Sequence, residues 1–387
     1  MNPAAPGRFI RLPRPRPLPW ETRLGSDALP EARRSHHPAC CPARSVVECG
    51  SPLPLSSPTQ FHWGPWLILS LLVGLLAFTA SAETHSPGVR VIAVVGAPGE
   101  PEFGTNFLAQ YQAWRDACAK AGVPITGIGA ETDSSTNDLD RLQALIDAEP
   151  KTGSDELWLV LIGHGTFDGK EAKFNLRGPD LSATNLAIQL RPFTRPIAVI
   201  NTASSSGPFL PALAASNRIV ITATRSGNEQ NFARFGQYFA GAVVDPKSDI
   251  DKDGQTSLLE AFLSASARVA EFYKREGRLA SEHSLIDDNG DGLGTPANWF
   301  RGLRATKKPR ENAAVDGLRA HQSHLLRSPE EIQLDPARRV RRDQLERELA
   351  KLRDTKKDTP EDEYFQKLEA LLLDLARVYE PSPAPSR

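Results

Sequence analysis

The chain has 387 residues, 40% of them hydrophobic, with 46 Lys and Arg against 47 Asp and Glu, 32 prolines and four cysteines. It is too long for a mini-protein and too apolar for a disordered chain, so one or two packed domains are expected. The near-zero net charge conceals zones: residues 1–60 carry eight Arg against four acids, and residues 301–358 carry sixteen Lys and Arg against ten. Residues 83–300 are acidic in compensation, which argues against a nucleic-acid-binding core.

Residues 1–60 are rich in Pro and Arg without periodicity, and read as a disordered leader or as sequence ahead of the true start. Met1 is the only methionine, so a later start needs an alternative codon, with Val46 and Val47 as candidates. Residues 66–80 (WLILSLLVGLLAFTA) are uncharged but shorter than the ~20 apolar residues of a spanning helix. They fit the apolar region of a secretory signal at 61–82, with Ala80-Ser81-Ala82 as the cleavage site before Glu83. The expected product is secreted or periplasmic; an uncleaved anchor at 66–80 is the alternative. Cys40, Cys41 and Cys49 precede that cleavage. Cys118 alone remains, so the mature chain has no intrachain disulfide.

From residue 89, short apolar runs alternate with amphipathic stretches. Strands are expected at Val89–Val95, around Ile125, at Leu157–Ile162, Ile197–Ile200 and Ile219–Thr222. Helices are expected near 103–120, 138–148, 181–190 with Ser182 as N-cap, 208–215 and 232–243. This alternation predicts an α/β fold on a parallel sheet covered on both faces. Gly96-x-x-Gly99 after the first strand has the wrong spacing for a dinucleotide fingerprint, and Pro98 removes a phosphate-binding N–H.

Chemistry collects at the carboxyl ends of strands in an open parallel sheet. Gly163-His164-Gly165 follows one strand, and Ala203-Ser204-Ser205-Ser206-Gly207 closely follows another. An imidazole beside a free backbone N–H, facing a hydroxyl, combines base, oxyanion donor and nucleophile in His164, Gly165 and Ser204.

The strand–His-Gly block, then about forty residues on a strand–Ala-x-x-Ser-Gly block, resembles the caspase/legumain clan of cysteine peptidases. In legumain-type members the second block reads Ala-Cys-Glu-Ser-Gly, and Val220–Arg225 (VITATR) is similar to their following strand. The resemblance covers roughly residues 89–245. It implies a three-layer sandwich on a mainly parallel sheet, with a histidine that polarises the scissile bond and donates to the leaving group. The chain departs at the nucleophile, where Ser204 replaces Cys. A serine needs a well-placed base, which the clan's histidine, not tightly paired to its nucleophile, hardly supplies.

Asp249-Ile250-Asp251-Lys252-Asp253-Gly254-Gln255-Thr256-Ser257-Leu258-Leu259-Glu260 satisfies each ligand position of an EF-hand loop. Asp249, Asp251 and Asp253 offer side-chain oxygens, Gln255 a carbonyl, Ser257 a direct or water-bridged contact, and Glu260 a bidentate carboxylate for Ca2+. Asp287, Asn289 and Asp291 begin a partial second copy whose twelfth position is Asn298, either completing a shared site or forming an Asx-rich turn.

Residues 304–335 are polar and irregular, a linker or wrapping segment. Residues 336–380 read as an antiparallel α-helical hairpin. Thr359-Pro360 starts its second helix, and Phe365, Leu368, Leu372, Leu375 and Tyr379 form one apolar seam. The domain reading is therefore leader 1–60, signal 61–82, α/β domain 83–245, calcium-loop extension 246–303, linker 304–335 and hairpin 336–380. The leading functional reading is an exported peptidase-like protein, catalytically impaired, that binds a peptide or envelope protein partner in the retained cleft. An active hydrolase using Ser204 with His164 and a calcium-stabilised structural protein are the alternatives.

Overall fold

The computed structural model describes residues 88–131, 137–311 and 313–380. Contacts divide the chain at residues 79 and 80, and every described residue belongs to the second unit. The expected leader, signal segment and cleavage site lie outside the described residues. No helix among the described residues is long and apolar enough to cross a membrane.

Seven strands form the main sheet: β1 (Val89–Val95), β2 (Ile125–Ile128), β3 (Glu156–Ile162), β7 (Ile197–Asn201), β8 (Arg218–Thr222), β9 (Leu285–Asp287) and β10 (Thr295–Pro296). Their order across the sheet is β10-β9-β8-β7-β3-β1-β2. The strands from β2 to β8 pair in parallel, and β9 and β10 extend the β8 edge antiparallel. A second, three-stranded sheet holds β4 (Gly165–Phe167), β5 (Ala172–Phe174) and β6 (Leu181–Ser182).

Both faces of the main sheet are apolar, as covered parallel strands require. Val91, Ala93, Val160, Ile162, Ala198 and Ile200 face one core; Ile92, Val94, Leu159, Leu161 and Val199 face the other. The first core is closed by Phe107, Trp114 and Cys118 of α1 (Pro101–Ala121), Phe239 of α5 (Phe235–Ala242) and Leu259 and Phe262 of α6 (Leu258–Arg275). The second is closed by Leu142 and Ile146 of α2 (Asp138–Ala148), Leu186 and Leu190 of α3 (Ala183–Leu190) and Leu213 of α4 (Phe209–Leu213). This is the three-layer α/β sandwich. Local caps agree with it: Asn137 and Ser182 cap α2 and α3, and Gly122 ends α1 at φ 66°. Burial pushes the Cys118 thiol up to about 12, so it packs as an inert small hydrophobe.

Residues 304–335 contain the short helices α7 (Leu318–His321) and α8 (Pro329–Gln333). Helices α9 (Pro336–Asp354) and α10 (Glu361–Tyr379) form the C-terminal hairpin. They run antiparallel, since Arg341 near the start of α9 meets Asp374 near the end of α10 at 3.3 Å. The apolar seam differs from the sequence expectation. Tyr364 and Val378 are buried against the hairpin, whereas Phe365, Leu372 and Tyr379 remain about half exposed. Partner α9 offers Leu345 and Leu352 to a stripe one position round the helix. The start also shifts by one residue: Pro360 is the N-cap, and the Thr359 hydroxyl donates back to the Thr355 carbonyl.

Candidate active site

Register brings the two sequence blocks to one edge. Leu161 pairs with Asn201 and Asn201 with Thr222, so the chain leaves β3, β7 and β8 side by side. After β3 the backbone turns at Gly163 and His164 and enters β4 at Gly165, so the His-Gly pair lies at the junction of the two sheets. The Asn175 N–H donates to the His164 carbonyl at 3.0 Å and holds that junction.

The His164 ring sits edge-on to Phe103 and Phe107, with centroids 4.7 and 5.0 Å away, and Phe232 lies at 6.3 Å. Burial lowers the imidazole below its ordinary value, opposed by a hydrogen bond to the Pro98 carbonyl. The ring is therefore neutral at neutral pH. The N–H given to Pro98 leaves the other nitrogen as the lone-pair nitrogen.

Ser204 is only 2% exposed. Its Oγ accepts from the Gly165 N–H and donates to the Gly165 carbonyl, both at 3.2 Å. No hydrogen bond joins Ser204 to the His164 ring. The hydroxyl thus lies against the N–H expected as an oxyanion donor, and it donates to a carbonyl, which cannot act as a base. Only glycine permits the approach: a Cβ on Gly165 would lie 2.3 Å from the Ser204 carbonyl oxygen.

The loop after β7 is pinned to the loop after β8. Ser206 and Thr224 hydroxyls meet at 3.1 Å, and the Gly207 N–H donates to Thr224 Oγ1 at 3.0 Å. Ser205 adopts φ 53°, an uncommon conformation for a residue with a side chain, and its buried hydroxyl has no partner among the described residues. Its N–H donates to the Glu229 carbonyl at 2.9 Å. The Glu229 carboxylate meets Arg225 at 3.2 Å and His283 at 2.6 Å. Sequence reasoning missed Glu229, His283 and the phenylalanine cage. Phe103 and Phe107 read as ordinary helix positions, and only the VITATR run pointed towards Arg225.

The two acidic loops share a backbone pattern. In the first, Asp249 accepts from the Lys252 and Gly254 N–H groups, Asp251 from Asp253 and Asp253 from Gln255. Carboxylate oxygens of Asp249, Asp251 and Asp253 lie within 4.8 Å of one another. Glu260 is turned to the backbone instead: Oε2 caps Ser257 and Oε1 accepts from the Ile250 N–H at 2.7 Å. Ser257 caps α6, and the Gln255 side chain bridges Asp253 and the Ser328 N–H. Asp251 also meets His321 at 2.9 Å. In the second loop Asp287 accepts from Gly290 and Gly292, Asn289 from Asp291 and Asp291 from Leu293. Beside it, buried Asp288 accepts the Gly317, Arg319 and Ala320 N–H groups, anchoring α7.

No family model matches the chain, and no curated protein matches it. Solved structures do. A protein from Geobacter sulfurreducens aligns at TM-score 0.35 and 14% identity, over 52% of this chain and 93% of its own. The Drosophila initiator caspase Dronc aligns at TM-score 0.34 and 13% identity, over 55% and 83%. Caspase-1 from Spodoptera frugiperda aligns at TM-score 0.34 and 11% identity, over 53% and 88%.

Proposed function

We propose that this chain is an exported, peptidase-like protein of impaired catalysis that binds a peptide or protein ligand at the cleft beside His164 and Ser204. The observation that carries the reading is the double hydrogen bond between the Ser204 hydroxyl and Gly165. A nucleophilic serine needs its proton taken by a base within hydrogen-bond reach. Here the neutral His164 is held by Pro98, and the serine proton faces a carbonyl. The order and spacing of the two strand-end blocks support the peptidase-like part of the reading.

Calcium belongs to the same proposal. Three carboxylates converging within 4.8 Å, around a glycine turn at φ 88°, are a hard-oxygen set suited to Ca2+. Asp249, Asp251 and Asp253 would hold the ion with the Gln255 carbonyl; Ser257 and Glu260 would join by turning from the helix cap. Asp287, Asn289 and Asp291 would form a weaker second site.

Substitution Ser204→Cys tests the cleft. A thiol is partly ionised at neutral pH and needs less help from a base. The variant is expected to gain labelling by peptide electrophiles, while wild type stays inert and a second change, His164→Ala, removes the labelling. Wild-type peptide turnover that Ser204→Ala abolishes would overturn impairment and establish a serine hydrolase.

A further inference from the structure

On the amino edge of the sheet, away from His164, a cavity of about 350 Å3 opens between the ends of β3, β7 and β8 and the helices α7 and α9. Arg319 of α7 and Arg347 of α9 line it together. Neither guanidinium has an ion pair among the described residues. Among the described residues Arg347 donates only to the Gln322 side-chain oxygen, at 2.7 Å, and the Arg319 side chain has no hydrogen-bond partner. Two acids share the lining. Glu156 accepts from the Trp158 indole and the Ser323 hydroxyl, and Asp343 pairs with Arg342 at 2.6 Å. Burial lowers the Arg319 guanidinium and the charge of Arg347 adds to this, while the carboxylates of Asp288 and Glu156 act the other way.

We propose that this cavity is an oxyanion-binding site in which Arg319 and Arg347 grip one phosphate or carboxylate group. The two guanidinium groups are partly buried and line one cavity, so an oxyanion between them would accept from both. Each guanidinium presents parallel N–H donors that match two oxygens of such a group. Because Arg319 belongs to the segment behind the sheet and Arg347 to the hairpin, the bound anion ties the hairpin to the α/β body.

The test uses the full chain in sodium phosphate or sodium acetate, against sodium chloride of equal ionic strength, read by thermal melting and titration calorimetry. Phosphate or acetate is expected to raise the melting temperature beyond chloride. Arg319→Gln and Arg347→Gln should each weaken binding about tenfold or more, whereas Arg353→Gln on the same helix should leave it unchanged. Arg319→Lys, which keeps charge but loses the fork, should fall between. A stronger response to phosphate assigns the site to phosphate groups, and a stronger response to acetate assigns it to carboxylates. If neither anion exceeds chloride, or if the response survives in both glutamine variants, the proposal fails. Circular dichroism of each variant at the working temperature separates lost binding from lost folding.

Discussion

Gly165 shows how much one missing side chain positions. Its backbone lies so close to Ser204 that a Cβ would meet the serine carbonyl at 2.3 Å and the Lys173 carbonyl at 3.1 Å. Gly165→Ala must push β4 away from the β7 loop, at the ~1–3 kcal/mol typical of overpacking. Urea unfolding should report that loss, and the Ser204→Cys background should lose electrophile labelling with it. His324 provides a pH effect at the same scale. Burial pushes its imidazole down to about 3, with His321, Arg342 and Arg327 adding to the shift, and its Nε2 has no partner among the described residues. The unfolded chain binds the proton first, near the ordinary 6.5, so this stabilisation is present above that pH and is lost as pH falls towards 3. Between pH 7 and pH 5 wild type should lose about 2 kcal/mol more than His324→Phe in urea titrations.

In the acidic loop the local sequence sets the backbone turn. Gly254 takes the positive φ, and alternate aspartates accept successive backbone N–H groups. Glu260 has two possible uses there, capping α6 or completing the cation shell, and the described geometry is the capping box. Calcium binding to the native state is expected to raise stability by ~2.7 kcal/mol at a hundredfold excess over Kd. Thermal melts in millimolar calcium and in chelator check it. Asp253→Asn should reduce the calcium-dependent shift without unfolding the apo protein. Identical melts of wild type in both buffers would make the loop a turn alone.

Across the molecule, the hairpin is fastened through one buried ionic cluster. Glu331 of α8 lies 2.8 Å from Arg339 and also contacts Arg342, both on α9, and all three side chains are almost fully buried. Removing the acid leaves buried Arg339 with no ion pair among the described residues, while Arg342 keeps Asp343 at 2.6 Å; breaking one buried pair costs about 3–5 kcal/mol. Glu331→Ala should therefore release the hairpin or unfold the chain. Limited proteolysis would read the first as cleavage confined to residues 334–360 and the second as general degradation. Full resistance matching wild type would mean that the hairpin is held by its apolar contacts instead.

Alternating apolar runs suffice for the α/β class because a covered parallel strand must be apolar on both faces, and residues 91–95 and Leu157–Ile162 are. The strand-end blocks around His164 and Ser204 were legible for the same reason: the strands announce their own ends. The turn of the acidic loop was legible because its aspartates accept from N–H groups two to five residues on. Long-range placement was not. Nothing near residue 103 or 232 signals a ring cage around His164, and nothing near Glu229 signals its contact with His283, 54 residues away. The hairpin seam shifted by one position because helix period allows several apolar stripes, and packing against α9 selects among them. The sequence by itself determined which residue types stand at the strand ends, including His164 and Ser204. Only the tertiary structure decided that this serine's proton faces a carbonyl, because the 39-residue excursion from Gly165 to Ser204 closes through the register of three strands.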